Sequence, residues 1–158
     1  MKLGGDSVPE TIYSQALWAF TILVLGFAFL KGDEPERIGA AAIVLVAVAA
    51  LFSPEDRGLA SPLWGRMALD MVLLVVFAGL SWHSRRAWPV WSAAFQALIV
   101  TGHILIAVNL RPPANAFAAV NNLSNYGLLA ALAIGTFWAW QERRAAAMGS
   151  DPARPPVP

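Results

Sequence analysis

Between Leu63 and Leu110 two apolar stretches lie almost end to end, LWGRMALDMVLLVVFAGLSW and PVWSAAFQALIVTGHILIAVNL, with only HSRRAW between them. A helix of about twenty residues rises about 30 Å, the thickness of a bilayer's hydrocarbon core. The pair therefore reads as a transmembrane helical hairpin, and this limits the fold more than any other feature of the chain. Composition agrees. Of 158 residues, 58% are hydrophobic and 13% charged, whereas a soluble domain carries about a quarter charged residues. The charges also cluster between apolar runs, the pattern of a polytopic membrane protein. The fold expected is all-α, a single transmembrane helix bundle over residues 12–144.

Taken in order, residues 1–11 form a polar segment, and Ile12–Leu30 is a first span. Its acidic leader and the bulky Phe27-Ala28-Phe29-Leu30 argue for a retained helix over a signal peptide. KGDEPER (residues 31–37) reads as a charged loop. Ile38–Phe52 is shorter and alanine-rich; it either spans or dips in as a re-entrant element, so the bundle has five helices, or four. After the turn-rich SPEDRGLASP come helices over about 63–82 and 89–110, with Pro89 suited to a first helical turn. A last helix covers about 116–140, and a proline-rich tail, 145–158, is expected to be disordered.

Five spans put the termini on opposite sides. Lys2, Arg57, Arg66 and Arg111 then share one side, and Lys31, Arg37, Arg85, Arg86, Arg143, Arg144 and Arg154 the other. The positive-inside rule places the N-terminus outside and the C-terminus in the cytoplasm of a bacterial inner membrane. Trp82, Trp88, Trp91, Trp138 and Trp140 would form an aromatic belt at the cytoplasmic interface.

Polar groups in hydrocarbon are expensive, so their depth is informative. On this topology Arg66, Asp70, His103, Asn109, Asn122 and Asn125 reach one outer-leaflet layer, with Gln96 two turns deeper on the face of His103. Two readings stand. Either Arg66 pairs with Asp70, His103 is a hydrogen-bonded core residue and the asparagines cap the last helix, or Asp70 and His103 form a proton relay or the wall of a small-ligand site. A docking surface for another subunit is a third.

Gly127, Ala131, Gly135 and Ala139 recur every four residues and line one face of the last helix, a small-xxx-small stripe that lets a second helix approach. Packing within the bundle is favoured over self-association.

Other chemistries are excluded or unsupported. With no cysteine there is no disulfide, thiolate metal site or cysteine nucleophile. His83 and His103 sit at opposite ends of the hairpin and cannot share one haem. No metal-ligand spacing, P-loop or G-x-S-x-G motif occurs. No cofactor, metal or nucleic-acid partner is expected. Thr101 and Thr136 are expected to hydrogen-bond back to their own helices.

The segments RMALD (Arg66–Asp70), SRRAWPVWSAAFQ (Ser84–Gln96) with His103, and ALAIGT (Ala131–Thr136) resemble a group of small polytopic bacterial inner-membrane proteins. The resemblance covers about half the chain. It implies an integral-membrane protein and carries no activity onto any residue. The function expected is non-catalytic: an accessory or scaffold subunit that self-associates or joins a larger membrane complex. The alternative is a small oligomeric transporter or proton-coupled channel using Asp70 and His103.

Overall fold

A computed structural model describes residues 8–52, 62–108, 110 and 113–149. These residues form five α-helices and no strand: α1 Val8–Lys31, α2 Glu34–Leu51, α3 Pro62–His83, α4 Trp88–Ala107 and α5 Ala114–Gly149. Each helix packs on its chain neighbours where these are joined by the short links at 32–33, 84–87 and 108–113, and α2 packs on α3. α1 closes the ring against α5, and α2 also reaches α5. Three helical segments, Trp64–His83, Trp88–Ala107 and Asn115–Gly149, are long and apolar enough to cross a membrane. The apolar run of α1 within the described side chains, Leu17–Lys31, is shorter.

The core is thin. Val24 and Ala28 from α1, Ala40 from α2, Phe77 from α3, Trp88 from α4 and Leu132 from α5 meet at its centre. Phe77 meets the Trp88 indole edge-on, with ring centroids 6.3 Å apart. Outward, every helix presents bare aliphatic side chains: Leu23, Leu45, Val75, Leu98 and Leu123 are all at least half exposed. Scattered exposed leucines are ordinary on a soluble protein, but a belt contributed by every helix is not.

The helix ends depart from the sequence reading in three places. α2 begins at Glu34, so KGDEPER is not a loop: only Gly32 and Asp33 separate α1 from α2. The reason is local. Asp33 and Glu36 have the spacing of a capping box, the Glu36 carboxylate accepts from the Asp33 backbone N–H at 2.9 Å, and Pro35 suits the first turn. Gly32 permits the tight link, because a Cβ there would collide with the Ala28 carbonyl and with Glu36. α4 stops at Ala107 rather than Leu110.

α5 is the third departure. It starts at Ala114 and runs for 36 residues to Gly149, so 145–149, read as the start of a disordered tail, are helical. Alanines at 145–147 are strong helix formers and Gly149 ends the run. From Gln141 to Gly149 every position is exposed, with Glu142 and Arg143 reaching back to the links at this end of the bundle. Residues 150–158 of that tail lie outside the described residues.

Candidate functional site

Two polar clusters cross the bundle, one near each end. The first joins α3 to α4. Asp70, two turns into α3, has both carboxylate oxygens engaged: Oδ1 accepts from Gln96 Nε2 at 2.8 Å, and Oδ2 lies 2.9 Å from His103 Nε2. Gln96 Nε2 also lies 3.2 Å from the Asp70 backbone carbonyl. Gln96 and His103 stand seven residues apart on α4, two turns on one face, so a single carboxylate bridges both. Gln96 is fully buried, and His103 nearly so. The Phe117 ring of α5 meets the His103 imidazole edge-on, 6.3 Å between centroids. His103 Nδ1 is enclosed and has no hydrogen-bond partner among the described residues.

The other residues expected in this layer fall out differently. Arg66 is exposed on α3, one turn from Asp70. Asn122 is exposed, and Asn125 Nδ2 donates to the Asn121 carbonyl of its own helix. Because α5 starts at Ala114, both asparagines lie in the helix interior and not at its cap. Asn109 lies outside the described residues. Of the seven residues singled out in the chain, hydrogen bonds join Asp70 to Gln96 and His103.

The second cluster, at the opposite end, was not legible as a site. Glu36, fully buried in α2, accepts from Trp88 Nε1 at 2.7 Å. Arg86, in the link before α4, donates to Asp33 Oδ2 at 2.7 Å and lies 3.6 Å from Glu36 and 3.4 Å from Glu142 of α5. Arg143 of α5 lies 3.1 Å from Asp33 and donates to the Lys31 carbonyl. One clasp thus ties the α1–α2 link, α2, the α3–α4 link and α5. The D-E-P-E spacing of the capping box was the available signal for the start of α2. No signal told which of the basic and acidic residues at this end would meet.

Trp88 is therefore no member of an interfacial belt. It is buried, held by Glu36, while Trp82, Trp91 and Trp138 are exposed. Trp140 is half-buried and carries the Arg144 guanidinium 4.9 Å over its ring. His83 is exposed at the end of α3, remote from His103. Thr101 and Thr136 hydroxyls donate to the carbonyls four residues back, as do Ser81 and Ser84. These hydroxyls are spent on their own helices.

The small-residue stripe of α5 faces the bundle. A Cβ on Gly127 would meet the Phe95 ring and one on Gly135 the Trp88 indole, and Ala131 and Ala139 are buried. The stripe lets two α4 aromatics lie flat against the α5 backbone, which is where α4 and α5 pack most extensively.

Among the described residues no group of three or more His, Asp and Glu could hold a metal ion. No protein-family model matches the chain, and neither a curated protein nor a solved structure does.

Proposed function

We propose that this chain is a polytopic protein of the bacterial inner membrane, its five helices crossing with the N-terminus outside and the C-terminus in the cytoplasm, and that it serves as a non-catalytic accessory or scaffold subunit. The observation that carries the reading is how the polar groups are used. Asp70, Gln96 and His103 form one clasp and Glu36, Trp88, Arg86 and Asp33 another, while exposed aliphatic side chains stand on the outward faces of all five helices. Such an object holds a fixed shape in a bilayer and offers its surface for packing. The orientation is supported by the Lys31–Arg143 and Asp33–Arg86 contacts, which gather the basic residues of three segments at one end.

Extraction of the tagged protein from its native membrane in mild detergent, followed by native mass spectrometry, tests this. Recovery alone as a homo-oligomer moves the weight to transport; reproducible recovery in a larger complex supports a scaffold. Recovery only as a monomer counts against it.

One observation favours a second reading, a proton-coupled channel or transporter. A carboxylate and an imidazole in contact within a helical hairpin can exchange a proton, and His103 Nδ1 is left without a partner among the described residues. That reading requires Asp70→Asn to abolish proton flux in proteoliposomes while the folded protein remains in the membrane.

A further inference from the structure

On their outer side α4 and α5 part to leave a groove of about 580 Å³. Trp91 and Phe95 of α4 line it on one side and Ala130, Ile134 and Trp138 of α5 on the other. It extends along α5 from Gly127 to Glu142, a rise of about 22 Å at ~1.5 Å per residue. One leaflet contributes about 15 Å of hydrocarbon, half of the ~30 Å core. The groove is thus long enough for an acyl chain within its own leaflet.

At the end marked by Arg85, Arg86 and Glu142 the groove joins a second recess of about 500 Å³, which shares those three residues and adds Asp33, Glu34 and Ser84. An apolar slot that opens into a charged recess fits the two halves of an amphiphile. A partner's transmembrane helix would cover the slot and leave the recess unused. Trp91 and Trp138 are both more than half exposed along the slot, and indoles of this kind favour the headgroup level.

The charges in the recess select the headgroup. Three carboxylates, Asp33, Glu34 and Glu142, face two guanidiniums, Arg85 and Arg86, which disfavours a purely anionic head. Arg86 is committed to Asp33, Glu36 and Glu142, and Asp33 also to Arg143. Arg85 and Glu34 are exposed, and neither has an ion-pair partner among the described residues. What remains for a ligand is one cation, Arg85, and one anion, Glu34.

We infer that the α4–α5 groove seats one phospholipid with a zwitterionic, amine-bearing headgroup. The acyl chain lies along Ala130 and Ile134, the phosphate meets Arg85, and the ammonium meets Glu34. The inference rests on the membrane-spanning reading above.

The test begins with carbonate extraction of membranes containing the full-length protein, then native mass spectrometry of the detergent-solubilised protein. Phosphatidylethanolamine, phosphatidylglycerol and phosphatidylcholine are offered at equal concentration. One phosphatidylethanolamine adduct per chain is expected over the other two. Arg85→Gln and Glu34→Gln should each lower it about tenfold or more, the loss of one charge-assisted contact, and Ala130→Trp should abolish it by filling the groove. Arg37→Gln, an exposed neighbour outside both recesses, should leave it unchanged. Equal retention of all three lipids, or retention indifferent to Arg85 and Glu34, overturns the headgroup assignment. A carbonate-resistant protein with no adduct, or one that forms a protein complex lost in Ala130→Trp, overturns the lipid seat alone. A protein released by carbonate overturns the membrane reading and the seat with it.

Discussion

The indole N–H of Trp88 donates to the carboxylate of Glu36 across 2.7 Å, fifty-two residues apart in sequence and enclosed by the bundle. A buried carboxylate is tolerable only when its oxygens are satisfied. Here Oε1 takes the indole and Oε2 the Asp33 backbone N–H, and Arg86 stands alongside. The pair fixes where α2 begins relative to α4, and the other charges at this end of the bundle arrange around it.

Glu36→Ala should therefore destabilise the folded protein by about 1–3 kcal/mol, since it leaves the Trp88 donor buried without an acceptor. Glu36→Gln keeps an acceptor oxygen for the indole and should lose less. Thermal unfolding in detergent, followed by tryptophan fluorescence, orders the variants; equal losses in the two would mean that charge, and not acceptance, is what matters.

At the other end, Asp70 and His103 should be energetically coupled. A double-mutant cycle with Asp70→Ala and His103→Ala should return about 0.5–1.5 kcal/mol, the range for hydrogen bonds between helices in a bilayer. The same cycle between Val75 (Val75→Ala), exposed on the outer face of α3, and His103 serves as the reference. A coupling near zero for Asp70 and His103 would remove the triad as a stabilising element.

Gly127→Ala should cost about 1–3 kcal/mol, because the added methyl runs into the Phe95 ring. Phe95→Leu in the same chain should recover part of the loss, so the two changes should not add. Gly79→Ala meets nothing within contact distance and should be neutral or mildly stabilising. Unfolding midpoints of the four variants decide the matter, and additivity of Gly127→Ala with Phe95→Leu would place the overlap elsewhere.

The absence of native cysteine makes the topology directly testable. On the proposed orientation, Phe52→Cys and Val108→Cys react with an impermeant maleimide in intact cells, whereas His83→Cys and Gln141→Cys react only after lysis. All four positions are exposed, Phe52, His83 and Val108 at or just beyond helix ends and Gln141 in the exposed last stretch of α5. Labelling of Phe52→Cys and His83→Cys on the same side would show that α3 does not cross.

The helical class, the five helical segments and the shared α4 face of Gln96 and His103 were legible in the chain, and for one reason; that Asp70 would meet that face was not. Apolar run length and helical repeat are local properties, and a seven-residue spacing places two side chains on one face whatever the rest of the fold does. The i, i+4 stripe at Gly127, Ala131, Gly135 and Ala139 was legible on the same ground. Its partner was not: nothing local names Phe95 and Trp88 as the rings that fill it.

What tertiary structure decided is the selection among equivalent charges. KGDEPER, HSRRAW and QERR each hold several ionisable groups at one end of the bundle, and sequence makes them interchangeable. Only the packing of α2 against α3 and α5 buries Glu36, commits Arg86 and leaves Arg85 and Glu34 outside. It likewise turned Trp88 from an expected interfacial residue into a core one and kept Asn122 and Asn125 out of the polar layer. Run length and periodicity are written along the chain; burial depends on which helices meet, and that is a property of the assembled bundle.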